Sequence, residues 1–313
     1  MPSRSKGVLA LVGPTAAGKS SLALDIAPAL DAEIVSIDSA MVYRGMDIGT
    51  DKPSAAELAR VPHHLVDVVD PGHTLSVAEF QKMGRRAVED IVARGKRPLL
   101  VGGSGLYFRA IVDPLEFPPT CPDVRSRLES QAAEEGALAL HDRLAGADPE
   151  AAAAIDPANV RRIVRALEVI EITGRRFSSL RRAWDDYRSI YHLVVAGLTF
   201  AGSELGRRID SRVESMIVRG LIEEVRRLEW AGFRGSLSAT QVLGYAQLLA
   251  HLEGRISLEE AVADTKARTR RLARRQLTWF RADPRVVWFE GNPSGAGELL
   301  MRGAAMRPAS GAR

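Results

Sequence analysis

The chain has 313 residues, of which 46% are hydrophobic and 26% charged, and its formal net charge is +4, so it can bury a substantial core in one large or two modest domains. Because Cys121 is the only cysteine, the sequence excludes an intramolecular disulfide and a thiolate metal cluster. We find no signal peptide and no apolar segment long enough to cross a bilayer, and we therefore expect a cytoplasmic protein without a membrane partner.

The first predicted strand and helix flank a phosphate-binding loop. The apolar run 8–12 precedes the spacing G-x-x-x-x-G-K-S, and helix formers follow up to Leu30. The loop consists of Gly13, Pro14, Thr15, Ala16, Ala17, Gly18, Lys19 and Ser20. Its N–H groups and the helix N-terminus can converge on an anion, Lys19 adds a point charge, and the Ser20 hydroxyl can bind Mg²⁺. The pattern predicts a site for a diphosphate or a longer phosphate chain; a chance Gly-rich turn is the alternative.

A second buried strand is predicted at 32–37, and it ends in Asp38 and Ser39. In open α/β sheets, ligands bind at the carboxyl ends of the strands, so Asp38 should face the same crevice as the phosphate loop. A carboxylate there can act as a general base or reach a metal ion. It can also simply cap the next turn. The polar segment 43–53 predicts a loop over this site.

Two further strands complete the predicted sheet of the first part of the chain. His63 and His64 precede the apolar run 65–70, and we interpret the two histidines as strand-entry residues because no third metal ligand is suitably spaced. A capping box at 76–79 opens a helix that ends near residue 94, and a strand at 98–101 runs into a Gly-rich turn. Strands that alternate with helices predict a parallel, doubly wound α/β sheet.

The character of the sequence changes near Pro114, where prolines begin to interrupt regular structure. Helices are predicted at 122–135, 137–145 and 158–173, a returning strand at 192–198, a long capped helix at 258–281 and a last strand at 286–289. We predict a catalytic core at 1–114 and 191–302, an inserted all-helical domain at 115–190 and a disordered tail at 303–313. The fold class is therefore a P-loop NTPase-like parallel sheet flanked by helices, with a helical insertion.

Because most proteins with this loop bind ATP or GTP, a kinase or an NTPase is the first interpretation. However, the strand that ends at Gly103 has no acidic residue for Mg²⁺, although Asp67 or Asp70 could substitute. An arginine-rich lid of the kind found in small kinases is not obvious, although Arg162 or Arg165 could serve. Arginines cluster at 161–165, 207–212 and 268–275. Such clusters suit phosphate groups or nucleic acid, unless they are solvated helix faces.

Seven motifs occur in an order that resembles a known family. They are GPTAAGKS at 13–20, Asp38-Ser39, YRGMDIGT at 43–50, LVGGSGLY at 100–107, RALEV at 165–169, Gly244-Tyr245 and RRQLTWFR at 274–281. From about residue 7 to residue 290, the chain is similar to the tRNA isopentenyltransferase family.

The resemblance implies transfer of a dimethylallyl group from dimethylallyl diphosphate to N6 of the adenosine 3′-adjacent to the anticodon in tRNA. The phosphate loop would then bind the diphosphate of the donor, and Asp38 would accept the proton of the attacking amine. The groups that would stabilise charge on the leaving diphosphate are Lys19, Thr15, Arg212, its neighbour Arg208, and Mg²⁺ held through Ser20. The reacting adenine would have to leave its stack. We expect the enzyme to be a monomer.

The same resemblance implies where the anticodon stem-loop of tRNA is bound. The implied tRNA-binding residues are Asp38, Ser39, Ala40, Met41, Ser104, Arg125, Arg161, Arg162, Ile163, Val164, Arg165, Gln241, Val242, Leu243, Gly244, Tyr245 and Ala246. Three of them depart from the usual family pattern. Met41 replaces a glutamine and Ala246 a basic residue, while Ser104 replaces a threonine and keeps the hydroxyl.

Other functions make different predictions. A small-molecule or nucleotide kinase would transfer phosphate from ATP without tRNA, and an RNA-binding ATPase would release phosphate without making a prenylated product. A related adenylate isopentenyltransferase would prenylate free nucleotides. The long helical insertion and the basic last helix favour tRNA as the substrate.

Overall fold

The computed structural model describes residues 7–180 and 184–305. They divide into two compact units, one within Met1–Val112 and Ser189–Arg313 and the other within Asp113–Arg188. The first unit begins with β1 (Val8–Val12), α1 (Lys19–Leu30), β2 (Ala32–Ser36), α2 (Ala55–Arg60), β3 (His63–His64), α3 (Val77–Ala93), β4 (Arg97–Gly102) and α4 (Gly105–Val112). The second contains α5 (Pro122–Glu135), α6 (Ala137–Ala147), α7 (Pro149–Ala154) and α8 (Val160–Thr173). The first then continues with β5 (Leu193–Thr199), α9 (Gly202–Val218), α10 (Leu221–Trp230), α11 (Leu237–Thr240), α12 (Tyr245–Leu252), α13 (Leu258–Arg281), β6 (Val286–Glu290) and α14 (Pro293–Ala305).

Six strands of the first unit form one sheet in the order β3-β2-β4-β1-β5-β6. All five strand pairings are parallel. The phosphate loop leaves β1 and Asp38 follows β2, so both lie at the carboxyl edge of the sheet, where α/β proteins bind ligands. The predicted fold class, a parallel sheet flanked by helices, is confirmed.

Helices cover both faces of this sheet, which explains why β1 is apolar at every position. Leu9 and Leu11 point to one face and pack with α1 and α14 residues such as Leu24 and Leu300. The alternate residues of β1 belong to the core on the opposite face, which includes Phe108. The buried strand pattern therefore fixes the sheet in the centre of the unit and leaves only its edge for chemistry.

Within its own boundaries, the second unit has helices as its regular structure, and its core is formed by Leu128, Leu140, Leu144 and their neighbours. The predicted amphipathic pattern of α8 is confirmed, because Ile163 and Leu167 are buried. The predicted helices at 122–135, 137–145 and 158–173 correspond to α5, α6 and α8. The short α7 was not predicted.

The predicted strand at 65–70 is wrong. The extended segment is His63–His64, which forms β3 beside β2. Leu65 and Asp67 have φ angles of 63° and 55°, which a strand cannot accommodate, so the chain leaves the sheet directly after the histidines. The apolar residues of this run are used in a turn packed against 42–43, where the backbone N–H groups of Val68 and Val69 donate to the Val42 carbonyl oxygen.

Predictions based on local signals agree with the structure elsewhere. Both capping boxes are present, at the starts of α3 and α13, and β5 and β6 lie where strands were predicted. The helices α2, α4 and α14 were not predicted. Helix α14 extends to Ala305, three residues into the predicted tail; the rest of that tail, 306–313, lies outside the described residues. Across the described ranges, no helix is both long and apolar enough to span a membrane.

Candidate active site

The phosphate loop has the backbone geometry that its two glycines predict. Gly13 has a φ of 141° and lies so close to the Leu198 carbonyl oxygen that a Cβ could not fit. Gly18 has a φ of 82° and caps the N-terminus of α1, which begins at Lys19. Pro14 and Ala17 are buried, whereas Thr15 and Ala16 are partly accessible. The loop therefore presents α1, and its free N–H groups, to the carboxyl edge of the sheet.

Lys19 is buried at the base of this loop with a relative accessibility of 8%. Its Nζ donates to the Pro14 carbonyl oxygen at 2.6 Å. Burial, together with the nearby Arg212 guanidinium, lowers the pKa of Lys19 to about 7, and the Asp38 carboxylate opposes this shift. A bound anion would favour the charged form, so this lysine is suited to respond to a phosphate group.

Two arginines of α9 extend toward the loop, as the resemblance implies. Arg208 Nε donates to the Ala16 carbonyl oxygen at 3.0 Å, and the guanidinium stacks on the Phe200 ring at 4.2 Å. Arg212 Nη2 donates to the Thr50 carbonyl oxygen at 3.3 Å. Each arginine also has a carboxylate at longer range, since Glu204 lies 3.8 Å from Arg208 and Asp51 lies 3.6 Å from Arg212.

Asp38 follows β2 at the same edge and is partly exposed. Its Oδ1 accepts a hydrogen bond from the Ala40 N–H at 2.8 Å, and its own N–H donates to Ser36 Oγ at 3.3 Å. Asp38 therefore does cap the next turn. This hydrogen bond orients the carboxylate, which remains accessible to solvent. Asp38 lines two adjoining cavities.

The phosphate-loop cavity has a volume of about 900 Å³ and is lined by Lys19, Ser20, Arg208 and Arg212 among others. The apolar cavity, of about 510 Å³, lies beside it. Its apolar lining consists of Ala40, Leu106, Val213, Met216, Ile217, Leu221, Val242, Leu243, Leu248, Val262, Leu272 and Trp279. The residues that line both cavities are Thr15, Asp38, Gly103, Arg212 and Gln276. A charged compartment and an apolar compartment therefore meet at Asp38.

Sequence reasoning missed the roles of Gln276 and Trp279 in this site. Gln276 Oε1 accepts a hydrogen bond from the Thr15 N–H at 2.9 Å, so α13 holds the phosphate loop directly. A Cβ at Gly103 would collide with Gln276, and one at Gly105 with Trp279. Both side chains belong to the motif RRQLTWFR at 274–281, which was the available signal for them.

The structure distributes the implied tRNA-binding residues of the first unit between the surface and the core. Ser39 and Gln241 are exposed, and Met41, Ala246 and Ser104 are partly exposed. Ser39, Ala40, Ser104, Gln241, Val242, Leu243 and Gly244 line the apolar cavity. Tyr245 has no accessible surface, and its hydroxyl donates to Glu224 at 2.6 Å. The tyrosine side chain therefore supports the site from behind.

Arginines of the second unit fall into two groups. Arg161 and Arg162 are exposed. The next two residues, Ile163 and Val164, belong to the core of that unit. The other group surrounds Glu168, which is fully buried: Arg125 and Arg165 bind its carboxylate at 2.7 Å and 2.6 Å. These partners hold the pKa of Glu168 below its ordinary value, although burial alone would raise it.

Arg165 also donates to the carbonyl oxygens of Pro118 and Pro119 at 2.7 Å and 3.1 Å, so its role in this unit is structural.

We expect Arg165→Ala to destabilise the protein by roughly 3 kcal/mol, since it removes one of the two arginines that bind the buried Glu168 carboxylate. Arg162→Ala should leave stability unchanged, because this side chain is exposed. Thermal unfolding of the two variants tests this, and equal unfolding temperatures would contradict it.

Comparison with known proteins assigns the chain to a family. A family model described as IPP transferase matches residues 41–283. The chain belongs to the IPP transferase family. This IPP transferase is 52% identical over 292 residues to a protein of Streptomyces coelicolor named tRNA dimethylallyltransferase, and the match covers 93% of each chain.

Solved structures agree with this assignment. A full-length tRNA isopentenylpyrophosphate transferase from Bacillus halodurans matches the IPP transferase with a TM-score of 0.70 at 40% identity, covering 96% of this chain and 97% of that one. A eukaryotic dimethylallyltransferase, described as acting on tRNA, matches with a TM-score of 0.77 at 26% identity, covering 91% and 74% of the two chains. The predicted family and P-loop NTPase-like fold are confirmed.

The structure also argues against Asp67 or Asp70 as the acidic residue that would bind Mg²⁺ if this IPP transferase were a kinase. Asp67 forms an ion pair with Lys52, and Asp70 forms one with Arg44 at 2.5 Å. Neither aspartate lines the phosphate-loop cavity. Within residues 7–180 and 184–305, no group of three or more acidic, histidine or cysteine side chains could by itself hold a metal ion.

Proposed function

We propose that this protein transfers a dimethylallyl group from dimethylallyl diphosphate to N6 of the adenosine 3′-adjacent to the anticodon in tRNA. The observation that carries the proposal is the position of Asp38, where the charged phosphate-loop cavity adjoins the apolar cavity. A diphosphate ester of a small apolar alcohol has the same division of charge. The names of the relatives and of the tRNA-acting structural neighbour support the same reaction.

In this proposal, the diphosphate of the donor binds at the phosphate loop and its allylic carbon lies toward Asp38. The adenine N6 attacks that carbon from the apolar cavity, the allylic C–O bond breaks, and diphosphate leaves with the bonding electrons. Asp38 accepts the proton that N6 loses. Lys19, Arg208, Arg212, the Thr15 hydroxyl and the free N–H groups at the start of α1 stabilise the charge that develops on diphosphate.

We propose that Mg²⁺ accompanies the donor. Mg²⁺ is commonly bound by one or two protein oxygens together with substrate phosphates, so a dedicated carboxylate cage is not needed. The exposed Ser20 hydroxyl at the start of α1 lines the phosphate-loop cavity and is a suitable hard donor. The metal would neutralise charge on the diphosphate, while the residues of the chain bind and orient the donor.

The tRNA partner would present its adenosine as a flipped base, because N6 of a stacked base cannot enter a cavity in the protein. The exposed Arg161 and Arg162 are suited to backbone phosphates of the anticodon stem-loop. We further propose that the protein acts in the cytoplasm, where tRNA is found, and as a monomer, since both cavities and Asp38 lie in one unit of one chain.

Incubation with radiolabelled dimethylallyl diphosphate, Mg²⁺ and unmodified tRNA tests the function. We expect label in the tRNA at N6 of that adenosine, release of one diphosphate for each group transferred, and no transfer after chelation of the metal. Free AMP serves as the second acceptor, and ATP without donor serves as the test of a kinase. Label in AMP alone would indicate a nucleotide prenyltransferase, and phosphate transfer from ATP would indicate a kinase.

A further inference from the structure

A buried carboxylate outside the two cavities holds the loop that borders them. Glu224 of α10 is 1% accessible, and among the described residues its contacts are hydrogen-bond donors without formal charge. Its Oε2 accepts from the N–H groups of Asp47 and Ile48 at 3.1 Å and 2.8 Å. Its Oε1 accepts from the Gly49 N–H at 3.2 Å and from the Tyr245 hydroxyl at 2.6 Å.

This arrangement constrains the conformation of the loop segment 47–49. Three successive N–H groups can point to one carboxylate only if the backbone curls around it, which resembles an anion-binding nest. The Tyr245 ring closes the other side, because a Cβ at Gly49 would lie 2.5 Å from it. Burial and the Glu224 charge raise the pKa of Tyr245, so its hydroxyl stays protonated and remains a donor.

The residues that follow this segment contact Arg212. The Thr50 carbonyl oxygen accepts from Arg212 Nη2 at 3.3 Å, and the Asp51 carboxylate lies 3.6 Å from Arg212 Nη1. Gly49 and Thr50 also form part of the wall of the apolar cavity. A displacement of 47–49 would therefore move the groups that orient the guanidinium at the junction of the cavities.

We infer that Glu224 and Tyr245 are positioning residues, which fix the segment 47–50 and through it the orientation of Arg212 toward the diphosphate. An apolar side chain could not replace Glu224, because the three N–H groups and the buried Tyr245 hydroxyl would lose their acceptor. The inference rests on the proposed function for its kinetic test but can also be tested with inorganic diphosphate alone.

The decisive variant is Glu224→Gln, which keeps the volume but turns an NH₂ group toward N–H donors. We expect KM for dimethylallyl diphosphate and Kd for inorganic diphosphate to rise roughly tenfold, the effect of misplacing one charge-assisted contact. KM for tRNA should rise by a smaller factor than KM for the donor, because Gly49 and Thr50 form only part of the wall of the cavity that the adenine enters. Tyr245→Phe removes one of the hydrogen bonds to Glu224. It should raise KM for dimethylallyl diphosphate and Kd for inorganic diphosphate by a smaller factor.

A double-mutant cycle with Arg212→Ala separates positioning from general damage. If Glu224 acts through Arg212, Glu224→Gln should weaken diphosphate binding by less than about twofold once Arg212 is absent. Glu33→Gln is the matched control, since Glu33 is also a buried carboxylate of this unit but binds Arg94 and His64 and lines neither cavity. It should leave diphosphate binding unchanged.

Several outcomes would overturn the inference. These are an equal loss in the wild-type and Arg212→Ala backgrounds, a parallel rise in the KM values for donor and tRNA, or no change in diphosphate binding. If Glu224→Gln does not fold, the same cycle with Tyr245→Phe decides. A wild-type protein that binds diphosphate but transfers no prenyl group would contradict the proposed function and leave the binding cycle as the test of positioning.

Discussion

Replacement of Asp38 by asparagine should lower the rate of prenyl transfer by about 10²–10⁴-fold, the usual contribution of a general base. The amide keeps an oxygen that can accept the Ala40 N–H, so the turn after β2 should survive. What the variant loses is a group able to take the proton from N6. Donor binding should change little, since the phosphate loop and its cations are intact.

Single-turnover transfer to tRNA measures this effect apart from product release. The matched control is Asp70→Asn, which removes a carboxylate paired with Arg44, and neither of these two residues lines the phosphate-loop cavity. This control should transfer the prenyl group at nearly the wild-type rate. If Asp38→Asn keeps more than about a tenth of the wild-type rate, general-base catalysis by Asp38 is refuted.

The parts of the site that the sequence predicts are those determined by nearby residues. The phosphate loop is recognisable because the strand, the two glycines and the helix start are contiguous. The position of Asp38 follows from a general rule about the ends of parallel strands, which needs no knowledge of how the helices pack. The capping boxes of α3 and α13 were predicted for the same reason, since each depends on two residues three positions apart.

Contacts between residues distant in sequence were not predictable. The hydrogen bond from Thr15 to Gln276 joins residues 261 positions apart, and the Glu224 contact with Gly49 spans 175 positions. The family motif at 274–281 marked Gln276 without indicating what it touches. Glu224 carried no signal, because a glutamate on an amphipathic helix is ordinarily solvated.

Local sequence patterns were also ambiguous where tertiary contacts determine the secondary structure or the burial of a side chain. The apolar run 65–70 has the composition of a strand, but two positive φ angles turn it away from the sheet. The arginines of α8 look alike in the sequence, yet Arg162 is exposed while Arg165 is bound to a fully buried glutamate. Burial of Glu168 could not be inferred from spacing, because Arg125 approaches it from another helix.

Replacement of Lys19 by methionine should lower the rate of prenyl transfer by about 10²–10³-fold. Loss of one preorganised group that stabilises the charge developing in a transition state has an effect of this size. Methionine fills similar space without the ammonium group. Arg207→Met is the matched control, since it removes an exposed cation that lines the same cavity and pairs with Glu204. That control should change kcat/KM for the donor by less than about threefold, because exposed pairs contribute little.

The pH dependence of diphosphate binding provides a second test of Lys19. Since burial and Arg212 lower the pKa of Lys19 from 10.5 to about 7, the free protein loses this proton above pH 7. Bound diphosphate favours the ammonium form, so binding must take up a proton there, and Kd should rise by up to about tenfold per pH unit. Calorimetry in buffers of different ionisation enthalpy should detect that uptake in wild type and not in Lys19→Met. A pH-independent Kd between pH 7 and 9 in wild type would contradict the role of Lys19.

The same shift predicts an opposite effect on folding. Because the pKa of Lys19 is lower in the folded protein than in the unfolded chain, the folded state binds fewer protons between pH 7 and 10.5. The contribution of Lys19 to the free energy of unfolding therefore rises with pH through this window, and its full cost is present below pH 7. Lys19→Met should be at least as stable as wild type at pH 6, with the difference shrinking toward pH 10. Denaturant unfolding at both pH values measures it, and a variant less stable at pH 6 would show that the buried ammonium supports the fold rather than the chemistry.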